Sequence, residues 1–351
     1  MGILIKTAIK ASVKAPIKTP SSLPSRQQGV ALMIVLMIVA LVSVLATEMG
    51  TRLQLQVQRT MNIKDSNQAY WYALGAEAFA RKSIQTLMEE TGDKISLDQP
   101  WAQKFMYPLE NGGLQANLTD LQACFNLNAI LQGSASANVN SGDGATEAMD
   151  AFHTMLLALE IDDINSFTAD TVRDSLADWV DEDDNMRPYG AEDSEYESRE
   201  FPYLAANGLL ASTSELRIIN GVSAVWLNDI LPLVCVIPDN DTLAINVNTI
   251  DEEHAALLAG LTGLDLQQAT SLLGNRPQDG WGDVSEFLAE PSVEALSLSD
   301  SRKEWFTVTT EYFILHTKTR YNKATFQLST VFNASSDAGV KIIKREFGGV
   351  K

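Results

Sequence analysis

The densest chemistry in the sequence lies between Asp178 and Tyr196, in the run Asp-Trp-Val-Asp-Glu-Asp-Asp-Asn-Met-Arg-Pro-Tyr-Gly-Ala-Glu-Asp-Ser-Glu-Tyr. Eight carboxylates fall within these 19 residues. Like charges at this density repel, and that alone leaves a loop solvated or disordered. Three features oppose that outcome. Asp181 and Asp183 sit at alternate positions, as ligands do in oxygen-rich calcium loops. Pro188-Tyr189-Gly190 lets the chain fold back, bringing Glu192 and Asp193 towards Asp181 and Asp183. Trp179, Tyr189 and Tyr196 interleave aromatic surface with the charge, which favours an ordered loop. Calcium takes about six to eight oxygen ligands, backbone carbonyls included. Asp178 and Glu195 flank the four central acids as further candidate ligands. The spacing is not that of an EF-hand. A cation here is expected to act structurally, stabilising the folded state that alone binds it.

No nucleophile or base stands beside these acids to suggest catalysis. Two cysteines and three histidines (His153, His254, His316) cannot build a zinc cage at normal spacing. No Cys-x-x-Cys, Gly-x-Ser-x-Gly, Walker A or Rossmann glycine pattern occurs. The charge balance removes another class. There are 26 Lys+Arg against 45 Asp+Glu, a formal net charge of −19. Residues 1–29 contain five basic residues and no acidic one, so the remainder carries 21 basic and 45 acidic residues, a net of −24. A strongly acidic body does not bind nucleic acid, whose phosphates need a positive surface.

The elements that must position the acids begin with an apolar run. Gln27 to Thr47 contains no charge, and about 20 apolar residues of helix span a bilayer. Basic residues precede it, which puts the amino terminus in the cytoplasm and everything after Thr47 across the membrane. A secretory signal and a plain anchor share this pattern. From Val30 to about Glu90, however, there is no proline, and glycine occurs only at Gly50 and Gly75. Apolar residues recur at helical steps through Ala69, Tyr72, Ala76, Phe79, Ala80 and Leu87. One helix of about 60 residues is expected, membrane-embedded in its first third.

Residues 93–132 read as loop and strand, with a turn at Gly112-Gly113, and the Gly/Ser/Asn-rich stretch 133–145 reads as a linker. Helices are expected at Ala148–Leu159, Ala169–Val180 and Ser214–Ile230. Asn126-Leu-Asn-Ala129 and Asn246-Val-Asn-Thr249 are similar tetrapeptides, each placed before a helical run. Glu215–Gly221 and Ala256–Gly260 both read as a helix ended by glycine and followed by a second helix, as in helix-hairpin-helix units. The carboxyl end changes period to strict alternation in Trp305–Thr319 and Ala324–Phe332, with a turn at Arg320–Lys323 and a third strand at Gly339–Phe347. The pattern predicts an α+β fold, a small antiparallel sheet packed on the long helix with a mostly helical segment inserted. The divisions are 1–29, 30–51 in the membrane, 52–132, an inserted 133–303, and 304–351.

A basic leader ending in Gly29, followed by an apolar helix, resembles the type IV prepilin family. The resemblance implies cleavage after Gly29 by a prepilin peptidase, with methylation of the new amino terminus at Val30. Most pilins carry Glu at the fifth mature position, which here is Ile34. In the family that Glu neutralises a neighbour's terminal amine, so a subunit with nobody above it gains nothing from it, and Ile34 fits a filament tip. Five motifs sharpen the likeness: Cys124-Phe-Asn-Leu-Asn-Ala129, Leu176-Ala-Asp-Trp-Val-Asp181, Gly190-Ala-Glu-Asp193, Ser214-Glu-Leu-Arg217 and Ile245-Asn-Val-Asn-Thr249. In this order they resemble the general secretion pathway protein K family, minor pseudopilins of the type II secretion system.

The resemblance implies a pilin-like fold with an inserted α-domain, calcium at the acidic loop, and partners among the I- and J-type minor pseudopilins. It also implies contact with the inner-membrane secretion machinery and a single-pass protein with a periplasmic body. A type IV pilus minor pilin and a membrane-anchored periplasmic hydrolase are the alternatives. Cys124 and Cys235 would share an oxidising compartment on this topology. They are read either as a disulfide or as two buried thiols in different cores.

Overall fold

The computed structural model describes residues 28–91, 94–133, 145–335 and 339–348. The expected leader, apart from its last two residues, and nearly all of the expected linker lie outside them. The chain divides into two compact units, one ending at Met61 and one beginning at Asn62. Helix α1 (Gln28–Thr91) runs through the boundary. In the first unit its apolar side chains, Val30, Leu32, Ile34, Val35 and their neighbours, are all exposed. Among the described residues it is the one helix long and apolar enough to cross a membrane.

The second unit continues with β1 (Phe105–Leu109), β2 (Gly112–Asp120), β3 (Phe125–Asn126), α2 (Glu147–Ala158), α3 (Ser166–Val180), α4 (Asp193–Glu197) and α5 (Leu227–Ile230). Next come β4 (Val234–Cys235), β5 (Ile245–Asn246), α6 (Ala255–Thr262), α7 (Leu266–Gly274), α8 (Val284–Leu288), α9 (Pro291–Glu294) and α10 (Asp300–Lys303). Four strands close the chain: β6 (Phe306–Thr307), β7 (Tyr312–Tyr321), β8 (Ala324–Asn333) and β9 (Lys341–Phe347). The result is an α+β architecture. β1, β2, β7, β8 and β9 form one antiparallel sheet in that spatial order.

The sheet packs on the second half of α1. Ala69, Ala73, Ala76, Ala80 and Ile84 are buried at helical spacing, and small side chains let the helix approach the strands closely. Thr319 Oγ1 donates to Ala69 O at 2.8 Å. Glu77 accepts from Thr330 Oγ1 at 2.8 Å and from two nitrogens of Arg345 at 2.7 and 2.8 Å, fixing β8 and β9 to the helix. Tyr321 and Ala324 pair across a two-residue turn whose first residue, Asn322, has φ 49°, as a tight hairpin demands.

Among the described residues, all the α-helices after α1 lie between β3 and β6, around a separate apolar core that includes Phe125, Phe152, Leu176, Trp226, Leu257 and Phe287. Two short parallel pairs, β3 with β4 and β5 with β6, tie its ends together. The two similar tetrapeptides make the same bonds. Asn126 Oδ1 accepts from Asn128 N, and Asn246 Oδ1 from Asn248 N. Asn128 then clamps the backbone of Leu210 through both its N–H (2.8 Å) and its C=O (3.2 Å). Asn248 clamps Trp281 in the same way, at 2.8 and 3.0 Å.

Three expectations are corrected. Gly112 and Gly113 are strand residues, not the turn. A Cβ on Gly112 would stand 1.8 Å from Arg320 O, so glycine there permits the pairing of β2 with β7. Ser214–Ile230 is not one helix. It breaks into a 3-10 turn (Thr213–Arg217) and the four-residue α5, with Gly221 at φ 82° between them. Gly260 does not end a helix; it lies inside α6, where a Cβ would meet Ala151 O of α2 at 2.5 Å, and the helix stops at Gly263, φ 86°.

Where β2 leaves the sheet, Asp120 is buried and accepts from Thr249 Oγ1 and Thr310 Oγ1, both at 2.5 Å, and from Gln122 N at 2.6 Å. Burial outweighs these bonds and raises its pKa from 3.8 to about 6. An acid with a raised folded pKa takes up a proton on folding, so its stabilising contribution is complete below pH ~4 and is lost as pH rises through about 6. Urea unfolding of wild type and Asp120→Asn should show this. Relative to the variant, wild type loses stability between pH 4 and 7 and changes no further above that.

Candidate functional site

The acidic segment begins at the end of α3. Asn165 caps the helix start by accepting from Thr168 N. Asp174 and Asp178, one turn apart, point from one face of α3 at the returning loop. Asp174 Oδ2 accepts from Tyr189 N at 3.2 Å, and Asp178 Oδ2 from Arg187 N at 3.2 Å. The loop returns because Gly190 lies against Asp178, where a Cβ would come 1.8 Å from Asp178 Oδ2. Gly190 N donates to Arg187 O at 3.0 Å to close the turn.

Arg187 answers part of the charge. Its Nη1 lies 2.6 Å from Asp178 Oδ1 and 2.5 Å from Asp181 Oδ2. Glu192 has no such partner. It is 3% exposed, and neither side-chain oxygen has a hydrogen bond. Asp181 Oδ1 and Asn207 Oδ1 are likewise buried and unpaired. Burial pushes Glu192 up to about 7, and Asp178, Asp181, Asp184 and Asp193 push it the same way, so these acids converge. Burial also raises Asp178 to about 6 despite Arg187.

The other candidate ligands are placed differently. Asp183 is exposed and accepts from Asn185 N and Nδ2. Asp193 Oδ1 accepts from Ala205 N at 2.9 Å. Glu195 is exposed on α4. Asn207 escaped the sequence reading because it lies outside the acidic run. Its signals are φ 45° and a side-chain amide held by Asp184 Oδ1 at 2.9 Å, which leaves its own oxygen free. Two of the three interleaved aromatics form a core under the loop: Tyr196 packs edge-on against Trp179, and Arg199 lies over Tyr196 and Tyr203, whereas Tyr189 is exposed and packs on Phe167.

Among the described residues no three Asp, Glu, His or Cys side chains are gathered into a ready-made metal cage. The donor set nevertheless fits a hard cation. Buried carboxylate oxygens without partners are costly, and an oxygen-seeking ion satisfies them.

Two further features bear on function. Cys124 and Cys235 are joined, with Cα atoms 5.8 Å apart, at the base of the helical segment. An apolar groove of about 700 Å³ runs beside the second half of α1, between Phe79 on the helix and Trp101, Phe105 and Leu114. Phe79, Phe105 and Tyr107 stack at its mouth and are exposed. Gly29, Val30 and Ile34 lie in the exposed part of α1.

A membrane-length helix leading into a sheet, with a helical segment bearing an acid loop, is the build of a minor pseudopilin of type II secretion. Family models described as type II secretion system (T2SS), protein K, match residues 123–239 and 245–309. The chain belongs to the type II secretion system protein K family. The protein of that name from Aeromonas hydrophila is 35% identical over 309 residues, 86% of this chain and 91% of that one. The one from Klebsiella pneumoniae is 34% identical over 296 residues, 83% and 87% of the two chains. The solved GspK–GspI–GspJ complex from the enterotoxigenic Escherichia coli type 2 secretion system contains a chain 28% identical to this one. It superposes with a TM-score of 0.72 over 83% of this chain and 100% of that one.

Gly190→Ala should cost about 1–3 kcal/mol in urea unfolding, because the new methyl must push a buried carboxylate off its partners. Replacing both cysteines by alanine should cost up to about 4–5 kcal/mol by loop-closure entropy, measured the same way under non-reducing conditions.

Proposed function

We propose that this protein sits at the tip of the type II secretion pseudopilus, where it starts assembly by joining minor pseudopilins of the I and J types and so supports export of folded proteins. The observation that carries this reading is the likeness, over 83% of this chain, to a relative solved in complex with two such subunits. Ile34, in place of the usual Glu, supports a subunit with no neighbour above it. In this reading prepilin peptidase cuts between Gly29 and Val30, and the new terminus is methylated. Residues 30–51 anchor the chain in the inner membrane beside the secretion machinery, and the body lies in the periplasm. Residues 52–132 and 304–351 form the pilin-like head, and 133–303 the inserted domain. The role is structural and not enzymatic.

The metal we assign to the acidic loop is calcium. Asp181, Glu192 and Asn207 supply oxygens that lack partners, and Asp178, Asp183, Asp193 and Glu195 complete the acidic surroundings. The groove beside α1 is the surface we assign to a partner pseudopilin, since exposed stacked aromatics around an apolar cleft are the usual make-up of a protein contact.

Pull-down of candidate I- and J-type subunits by the full chain in detergent tests the assembly reading; failure to recover either would sink it. Phe105→Glu should cut recovery at least tenfold without changing the melting temperature. Calcium should raise the melting temperature of chelator-stripped protein, and no rise would remove the metal.

A further inference from the structure

We infer that Arg187 is an internal stand-in for the divalent cation of the acidic loop, and that calcium displaces its guanidinium from between Asp178 and Asp181. The inference rests on the calcium reading above and goes beyond it, because it names the residue that must move.

An arginine beside a carboxylate commonly uses two nitrogens of its planar fork against both oxygens of one partner. Arg187 does otherwise. A single nitrogen, Nη1, bridges two carboxylates, at 2.6 Å from Asp178 Oδ1 and 2.5 Å from Asp181 Oδ2. Calcium–oxygen distances fall in the range of about 2.3–2.6 Å. The nitrogen therefore stands where an ion bridging the same two oxygens would stand.

The stand-in is incomplete. Arg187 brings one positive charge to a place where Asp178, Asp181, Asp184 and Asp193 all act on Glu192. Its donors lie in a plane, so oxygens above and below that plane go unanswered. Four side-chain oxygens of this segment and its neighbour Asn207 are buried without a hydrogen bond: both of Glu192, at 3% exposure, together with Asp181 Oδ1 and Asn207 Oδ1. The partnerless Glu192 separates this cluster from an ordinary solvated acidic surface. A divalent ion brings twice the charge and accepts oxygens from every direction, so it satisfies groups that the guanidinium cannot reach.

Arg187 also has somewhere to go. Its side chain is 19% exposed, whereas that of Asp178 is 0% exposed. Met186 and Pro188 on either side are exposed, as are Glu182 and Asp183 nearby in the chain. A displaced guanidinium thus reaches water and surface carboxylates by a change within residues 182–190. The arrangement has a purpose before the ion arrives. A cluster of buried carboxylates without any cation destabilises the fold, and Arg187 lets the loop close in the interval. Calcium affinity is then set by competition with a tethered cation and not by the oxygens alone.

The test uses the full chain in detergent, stripped with chelator. Phenylglyoxal modification of Arg187, followed by peptide mass spectrometry, should rise at least tenfold on saturation with calcium chloride, while Arg217 serves as an internal reference. Unchanged or reduced modification, in protein whose calorimetric titration registers calcium, overturns the exchange and leaves the calcium reading standing. No heat of calcium binding, with modification unchanged, overturns both. Arg187→Gln, if the exchange holds, binds calcium at least tenfold more tightly than wild type in calorimetry. Equal or weaker binding by the folded variant also overturns it.

Discussion

The fold beyond the sheet depends on how one buried carboxylate is satisfied. Asp120 stands at the point where the chain leaves β2, and its three donors come from three separate stretches: Gln122, Thr249 and Thr310. Thr310 in turn accepts from Asn246 Nδ2 at 2.8 Å, and the same amide reaches Ile95 O at 3.0 Å. A buried polar network is favourable only when complete, so the exit from the sheet, the middle of the helical segment and the re-entry into β7 must be right together. This explains why so long an excursion returns to one place.

The excursion itself is built twice. Each half opens with a strand and an Asn-x-Asn pair, continues through two helices, and has its return clamped by the second asparagine, at Leu210 or at Trp281. The resemblance extends past the clamp. Ala211 N donates to Glu215 Oε1 after Leu210, and Gly282 N donates to Glu286 Oε2 after Trp281. The two family models divide the chain between these halves. Gly260 lets α2 and α6, one from each half, meet at backbone distance. The stretch from Val180 to Leu210 is far longer than its counterpart from Gly274 to Trp281, and that extra length is the acidic loop. The loop is an elaboration of one copy on a frame set by both.

Much of this was legible in the sequence where periodicity is strong. The helix through residues 30–90, the helices at 148–159 and 169–180, and the hairpin turning at Asn322 all follow from apolar spacing and local turn chemistry. What escaped was decided by contacts far apart in sequence. β1 has exposed side chains in nearly every position and exists because it pairs with β2, so no alternation announces it. Ser214–Ile230 has a helical apolar pattern, but Gly221 closes against Thr171, at 2.9 Å for a notional Cβ, and that packing breaks the run. At the site, charge density singled out the acidic loop as a whole. It could not tell which acids fold inward, because Glu192 and Glu195 look alike in sequence and differ only in burial. Asn207 carries no charge and was invisible to the same reasoning.

The bond between Cys124 and Cys235 has a mechanical meaning. It encloses a stretch spanning 111 positions, including α2, α3 and the acidic loop, in a covalent ring. A tensile load carried along the chain crosses from Cys124, just ahead of β3, to Cys235 at the end of β4 by way of the sulfurs and bypasses everything inside the ring. At about 3.3–3.6 Å per extended residue, several hundred ångströms of contour length are withheld from any stretching of the chain. A chain pulled from its two ends can therefore be strained there while the part that holds the acidic loop remains slack.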